Sequence, residues 1–324
     1  MRKLFTLLVA LLVLSIPLSV QAETWNMATP YPDFAFHTVN IRQFAADVKK
    51  ASSGKLEIKV HSGQSLIKHP EIKNAVRSSQ VQMGEFLLGR LANENAIFEV
   101  DMIPFLASNY DQAKKLWAAQ RPHVEKLLAK SKIKVLYSVP WSPQGLFAKK
   151  AINTVNDMKT LRFRAYSKAT ERLATLLGMV PTQTEATELA TAFLTGRVDS
   201  MMTSPATGAN NKAWDWVSHY YHVQGWLPKN IVVVSEKAFG RLDKATQEAV
   251  LESARKADER GWKMSVVDTD QGVKKLKEHG MKGIEPSAEL KAGLKDVGKT
   301  MTEEWLKKSG KDGAELVETY RKSL

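Results

Sequence analysis

Residues 41–60 read IRQFAADVKKASSGKLEIKV, and the two halves of this stretch follow different periods. Ile41, Phe44, Ala45 and Val48 recur at the spacing of one helix face, and Ser52-Ser53-Gly54 is a stop. Leu56, Ile58 and Val60 then alternate with Glu57 and Lys59, as a strand with one buried face does. A helix that runs straight into a strand is one step of an α/β chain. Upstream lie a short apolar segment, Trp25–Thr29, and a loop, Pro30–His37, that carries Tyr31 and Phe34. Downstream, Pro70 suits the first turn of a helix bearing Ile72, Ala75 and Val76, and Val81–Leu88 reads as a strand. The order β-α-β-α-β predicts a layered α/β domain with a mostly parallel sheet.

The pattern continues with a helix at Asp111–Lys130 and a strand at Lys134–Val139. Pro140, Pro143 and Gly145 interrupt it, which marks a crossing into a second domain. There a strand at Leu161–Tyr166, a helix from Lys168 to Gly178, a helix near Glu185–Leu194 and a strand at Val198–Met202 form a second α/β set. Ile231–Val234, after a tryptophan-rich stretch, reads as a crossing back. Asp243–His279 is helical in pattern for 37 residues, long for one globular helix. At 324 residues, two domains are also the expectation from length.

Composition narrows the function. With no cysteine, a thiol nucleophile, a Cys-ligated zinc and any disulfide are excluded. The 47 Lys+Arg against 34 Asp+Glu give +13, which favours anionic partners. Arg2 and Lys3, the apolar run Leu4–Val20 and the ending Val20-Gln21-Ala22 read as a secretory signal peptide over residues 1–22, cleaved after Ala22. Nothing later is long and apolar enough to insert the mature chain in a membrane. An exported basic protein has little chance to meet nucleic acid, so the charge suits small anions or is plain surface. No HExxH, GxSxG, Walker A or GxGxxG sequence occurs, and no cofactor is expected. His219 and His222, three apart as on one helix face, lack an acidic or cysteine neighbour and read as surface or packing residues, so no metal is expected. Glu304 and Lys308 read as a solvated i,i+4 pair.

Arg164 stands apart. In Leu161–Tyr166, alternation puts Arg162 and Arg164 on one side and Leu161, Phe163 and Ala165 on the other. An arginine that ends a strand of an α/β sheet can point into the crevice where such folds bind ligands, and its fork suits a carboxylate. Periodicity alone leaves a surface arginine equally open.

Several segments are similar to the TRAP-transporter solute-binding proteins of the DctP type. Phe44–Val48 with Ser53–Val60 resembles the early helix and strand of that family. Phe98-Glu99-Val100-Asp101-Met102-Ile103-Pro104-Phe105 resembles its "dlPF" segment. Asn156–Arg164 resembles "dlkGlkiR", and Leu194–Asp199 resembles "lqtGvvDG". The resemblance implies a periplasmic receptor without catalytic activity. Its α/β fold has two lobes joined by hinge strands, with one long helix spanning both. Lobe I would comprise residues 23–140 plus 229–265, and lobe II residues 141–228 plus 266–324. A small organic acid would bind between the lobes and be handed to the TRAP permease subunits in the membrane. Arg164 falls on the arginine that grips the carboxylate in this family.

Departures from the family pattern bear on the ligand. Sialic-acid-binding members carry a second arginine where Gln144 stands here, and Gln-Glu-Asn-Pro where Asp199 is followed by Ser200–Pro205. An acidic pocket residue of those members is replaced by Leu87 or Leu88. Fewer polar groups imply a more apolar ligand. The expected site is Arg164 on the carboxylate, Gln144 and Thr203 as hydrogen-bonding groups, and Trp141, Trp226, Tyr31, Phe86 and Leu87 as apolar walls. An aromatic monocarboxylate is the preferred ligand, with an aliphatic 2-oxo or 2-hydroxy acid next. A periplasmic enzyme or a sensor module acting on such an acid is the alternative of another class.

Overall fold

The computed structural model describes residues 22–281 and 283–324, so all of the expected leader except Ala22 lies outside the described residues. β1 (Glu23–Ala28), α1 (Phe36–Ala51), β2 (Leu56–His61), α2 (Ile72–Arg77) and β3 (Met83–Leu87) form the opening β-α-β-α-β. α3 (Tyr110–Ala129) begins where the Asn109 side chain accepts from the Gln112 N–H (2.9 Å), and leads to β4 (Ile133–Pro140). The chain then crosses to β5 (Gly145–Ala148), β6 (Arg162–Ala165), α4 (Lys168–Leu176) and β7 (Val180–Gln183). α5 (Leu189–Leu194), β8 (Ser200–Thr203), α6 (Pro205–Asn210) and β9 (His219–Tyr221) follow in the same unit. β10 (Lys229–Ser235) returns to the first sheet, and α7 (Glu236–Arg241), α8 (Lys244–Glu278), β11 (Gly283–Ile284) and α9 (Ala288–Ser323) complete the chain.

The strand orders are β2-β1-β3-β10-β4 and β11-β9-β5-β8-β6-β7, one sheet per lobe. Both are mixed, which corrects the mostly parallel expectation. β10 runs antiparallel to β3 and β4, and β5 runs antiparallel to β8 and β9. Each is the first strand after a crossing. The parallel strands point their carboxyl ends at the cleft, so a strand that enters its sheet from the cleft must run the other way. The two crossings are bonded to each other: Trp141 N–H to the Pro228 carbonyl (2.8 Å), Gln144 N–H to Trp226 (2.9 Å) and Gly225 N–H to Gln144 (2.9 Å).

One core packs Trp25, Phe44, Leu56, Tyr137 and Val250 against one face of the first sheet. Another gathers Phe147, Phe193, Met201, Trp216 and Leu276 in the second lobe. Val250 and Leu276 both belong to α8, so this single helix is built into both lobes. The Asp243 side chain starts it by accepting from the Thr246 N–H (2.8 Å). A lobe boundary at residue 265 therefore falls inside a continuous helix. α9 is fastened to both lobes: Glu304 pairs with Arg172 of α4, and two of its side chains bond to the segment between β3 and α3. Trp305 Nε1 donates to the Ala96 carbonyl (2.7 Å), and the Tyr320 hydroxyl donates to Leu106 (2.9 Å).

Two further expectations change. Glu304 and Lys308 do not pair with each other: Glu304 takes Arg172 of α4 (2.5 Å), and Lys308 takes Glu99 (3.0 Å). His219 begins a strand and His222 follows it, so they share no helix face. No helix among the described residues is long and apolar enough to cross a membrane.

Candidate ligand-binding cleft

Six of the eight expected residues converge on one cavity between the lobes. Tyr31, Leu87 and Trp141 come from the first-lobe side, and Gln144, Arg164 and Thr203 from the second. The cavity has a volume of ≈ 50 Å³. Phe86 and Trp226 do not line it. Both are buried in the hydrophobic core, Phe86 because alternation along β3 turns it away from the face that Leu87 presents.

Arg164 is 5% exposed, whereas Arg162, two residues earlier, lies open and grips Asp199 with Nε (2.8 Å) and Nη2 (2.7 Å). Among the described residues, Arg164 finds a partner only for Nε, which donates to the Thr184 carbonyl (2.9 Å). Its guanidinium carbon sits 4.3 Å from the Tyr166 ring centroid, a cation–π contact. No carboxylate lies within ion-pair distance among those residues. Burial pulls the guanidinium down to about 10, still charged at neutral pH. A buried cation without a counter-ion is costly, and a ligand anion would relieve that cost.

The polar groups around it are oriented. The Gln144 amide donates from Nε2 to the Ser142 carbonyl (2.7 Å) and accepts at Oε1 from the Tyr166 hydroxyl (3.2 Å). Ser204, directly after Thr203, caps α6 by accepting from the Thr207 N–H (3.0 Å), with Pro205 opening the helix. On the first-lobe side, the Tyr31 hydroxyl (3.2 Å) and Trp141 Nε1 (3.0 Å) both donate to Asn230 Oδ1. Asn230 Nδ2 in turn donates to Glu85 (3.0 Å), which also accepts from the Thr29 hydroxyl (2.5 Å). Burial, with the Glu85 charge, pushes the Tyr31 phenol up, so it stays a neutral donor. The Tyr31 and Trp141 rings meet edge to face, 4.9 Å apart at 65°. These rings are rigid walls held by a buried network.

Sequence reasoning missed Tyr166, Ala186, Ser204, Thr207 and Pro228, which also line the cavity. Tyr166 was within reach, since the alternation that pairs Arg162 with Arg164 continues to it. Ser204-Pro205 with Thr207 is a helix-start signature at the end of a strand, and it too marks the cleft edge. Ala186 and Pro228 carry no signal of their own. Among the described residues no cluster of His, Asp or Glu could hold a metal.

Known proteins share this architecture. The family model for bacterial extracellular solute-binding proteins, family 7 (DctP), matches residues 32–309. A Bordetella pertussis extracytoplasmic solute receptor, DctP6, whose crystal structure binds pyroglutamic acid, is 46% identical. It superimposes with a TM-score of 0.91 over 93% of this chain and 100% of that one. A marine metagenome TRAP solute-binding protein specific for pyroglutamate, solved with co-purified pyroglutamate, is 35% identical. Its TM-score is 0.91 over 93% of this chain and 99% of that one. A solute-binding protein of Albidiferax ferrireducens is 26% identical over 51% of this chain, and the match covers 49% of that relative's length. These relatives lend no support to an aromatic ligand. The chain belongs to the DctP family, the bacterial extracellular solute-binding proteins of family 7.

Proposed function

We propose that the protein is the extracytoplasmic receptor of a TRAP transporter and that it captures a small cyclic carboxylate of the pyroglutamate class. The observation that carries this is Arg164, a buried guanidinium with no carboxylate at ion-pair distance among the described residues, facing a cavity between two lobes. Its fork accepts the carboxylate, and Gln144 and Thr203 supply donors and acceptors for a lactam N–H and C=O. Leu87 and the faces of Tyr31 and Trp141 cover the ring. The aryl-carboxylate favoured on sequence grounds gives way for a physical reason. An aryl ring offers Gln144 and Thr203 no hydrogen-bonding edge, whereas a lactam does, and the Tyr31 and Trp141 walls are fixed by their contact with each other and by bonds to Asn230. Pyroglutamate-binding relatives at 46% and 35% identity support the same ligand class. Export with cleavage after Ala22 would leave Glu23, the first residue of β1, as the amino terminus. The loaded receptor would deliver its ligand to membrane permease subunits.

Calorimetric titration of pyroglutamate into ligand-stripped wild type and Arg164→Ala tests the assignment. Leaving the ligand anion unpaired in a dry cleft costs about 2–5 kcal/mol. Arg164→Ala should therefore bind at least about tenfold more weakly, with Arg164→Lys recovering part of the loss. Wild-type affinity in a folded Arg164→Ala protein would show that the carboxylate sits elsewhere.

A further inference from the structure

Glu185 lies two residues beyond β7, in the second lobe, yet it faces Arg90 and His69 of the first. Oε1 is 3.0 Å from Arg90 Nη1, and Oε2 is 3.7 Å from His69 Nδ1. Arg90 follows β3, and His69 precedes α2. The Leu87 N–H points at His69 Nε2 (3.3 Å), which makes Nε2 the acceptor and puts the ring proton on Nδ1, facing Glu185. Arg90 also donates to the Tyr166 carbonyl (3.3 Å). The side chains are 5% (His69), 17% (Arg90) and 27% (Glu185) exposed, so the cluster is largely withdrawn from water. Burial works to raise the Glu185 carboxyl, but the facing His69 Nδ1–H and the Arg90 charge outweigh it and hold the carboxyl at about 2.

The neighbours of Glu185 in sequence touch the binding site. Thr184 presents the carbonyl that orients Arg164 Nε (2.9 Å), and Ala186 lines the cavity. His69 meets the edge of Tyr31, on the opposite wall, with ring centroids 5.8 Å apart. A continuous path thus runs from Arg90 and His69 through Glu185 and the Thr184 carbonyl to Arg164. We infer that Glu185 is a positioning residue that latches the closed lobes through Arg90 and His69 and, in the same contact, sets the loop that aims Arg164 at the ligand. Opening separates Glu185 from both partners, so the latch acts after the ligand has entered. It governs escape rather than capture. This role rests on Arg164 holding the ligand carboxylate.

The test is a double-mutant cycle of Glu185→Gln and Arg90→Gln, read by stopped-flow tryptophan fluorescence with pyroglutamate, since Trp141 lines the cavity. Each single variant should dissociate about tenfold faster with little change in association rate, and the double variant should be no worse than either single one. Unchanged dissociation in Glu185→Gln, or effects that simply multiply in the double variant, would overturn the latch while Arg164→Ala still reports on the carboxylate site. Failure of wild type to bind pyroglutamate would count against the ligand class instead. The latch is then judged on the ligand-free protein, by spin-label distances between the lobes: Glu185→Gln should widen the distribution toward open forms, and an unchanged distribution would overturn it.

Discussion

Arg162 and Arg164 show what a single residue's surroundings decide. They lie on the same side of one strand, yet one grips the half-buried Asp199 and the other is buried with no acid at ion-pair distance among the described residues. The reason is position along β6: Arg164 is nearer the carboxyl end, where the second lobe meets the first. A second buried charge lies outside the cleft. Asp268, on α8, is half-buried, with Oδ2 out of contact with water and without a hydrogen-bond partner among the described residues, and burial raises its carboxyl to about 6 from an ordinary 3.8. Between those values the folded state holds a proton that the unfolded state has lost. The stability that Asp268 contributes is complete below about pH 4 and is lost as the pH rises through 6. Asp268→Asn should therefore be more stable than wild type at pH 8 by roughly 1–3 kcal/mol, with the difference vanishing near pH 4. Urea unfolding at the two pH values measures this, and equal differences at both would contradict it. That Arg164, Gln144 and Thr203 line the cavity was legible in the sequence through strand alternation and the family resemblance. The Glu85–Asn230 network was not, because its members come from β3 and β10, which are adjacent only in the folded sheet.

At the scale of elements, α8 ties the cleft to the hinge through two glycines. A Cβ on Gly261 would lie 2.4 Å from a Val139 methyl of β4, and one on Gly272 would lie 2.5 Å from the Ala206 backbone nitrogen of α6. Both are close approaches, one to each lobe. Alanine normally favours a helix over glycine by about 1 kcal/mol. At Gly272 the obstacle is backbone, which cannot rotate aside as a side chain can. Gly272→Ala should therefore destabilise the protein by roughly 1–3 kcal/mol. It should also weaken ligand binding, because α6 is capped by Ser204 and carries Thr207, both at the cavity. Denaturant unfolding with a parallel titration checks both effects, and a neutral or stabilised variant would show that the two helices can separate freely. The long period of Asp243–His279 made α8 legible. β11, a pair of residues, and β7, VPTQ, were not, since neither is long enough to show a period. The reversed direction of β5 and β10 is also invisible locally, because it follows from where the chain enters each sheet.

For the whole molecule, two mixed sheets, paired crossings and one shared helix leave a cavity between the lobes, and the buried arginine lines it. Two-lobe organisation was legible from the repeated α/β pattern and the proline-marked crossing. Ligand class was not: the aromatic residues in the sequence suggested an aromatic guest, but folding spends Trp226 and Phe86 on the core and locks Tyr31 and Trp141 into a hydrogen-bonded wall. In the function proposed above, what remains receives a compact ring with a carboxylate and an amide edge. The most direct measurement is calorimetry of ligand-stripped protein against pyroglutamate, its carboxamide, proline, benzoate, phenylacetate and glucuronate. A cleft organised by Arg164 should bind pyroglutamate in the micromolar range or tighter. It should bind the carboxamide at least about a hundredfold more weakly, since that ligand leaves the guanidinium without an anion. Tight binding of an aryl-carboxylate or of glucuronate with no response to pyroglutamate, or equal binding of pyroglutamate and its carboxamide, would contradict the account.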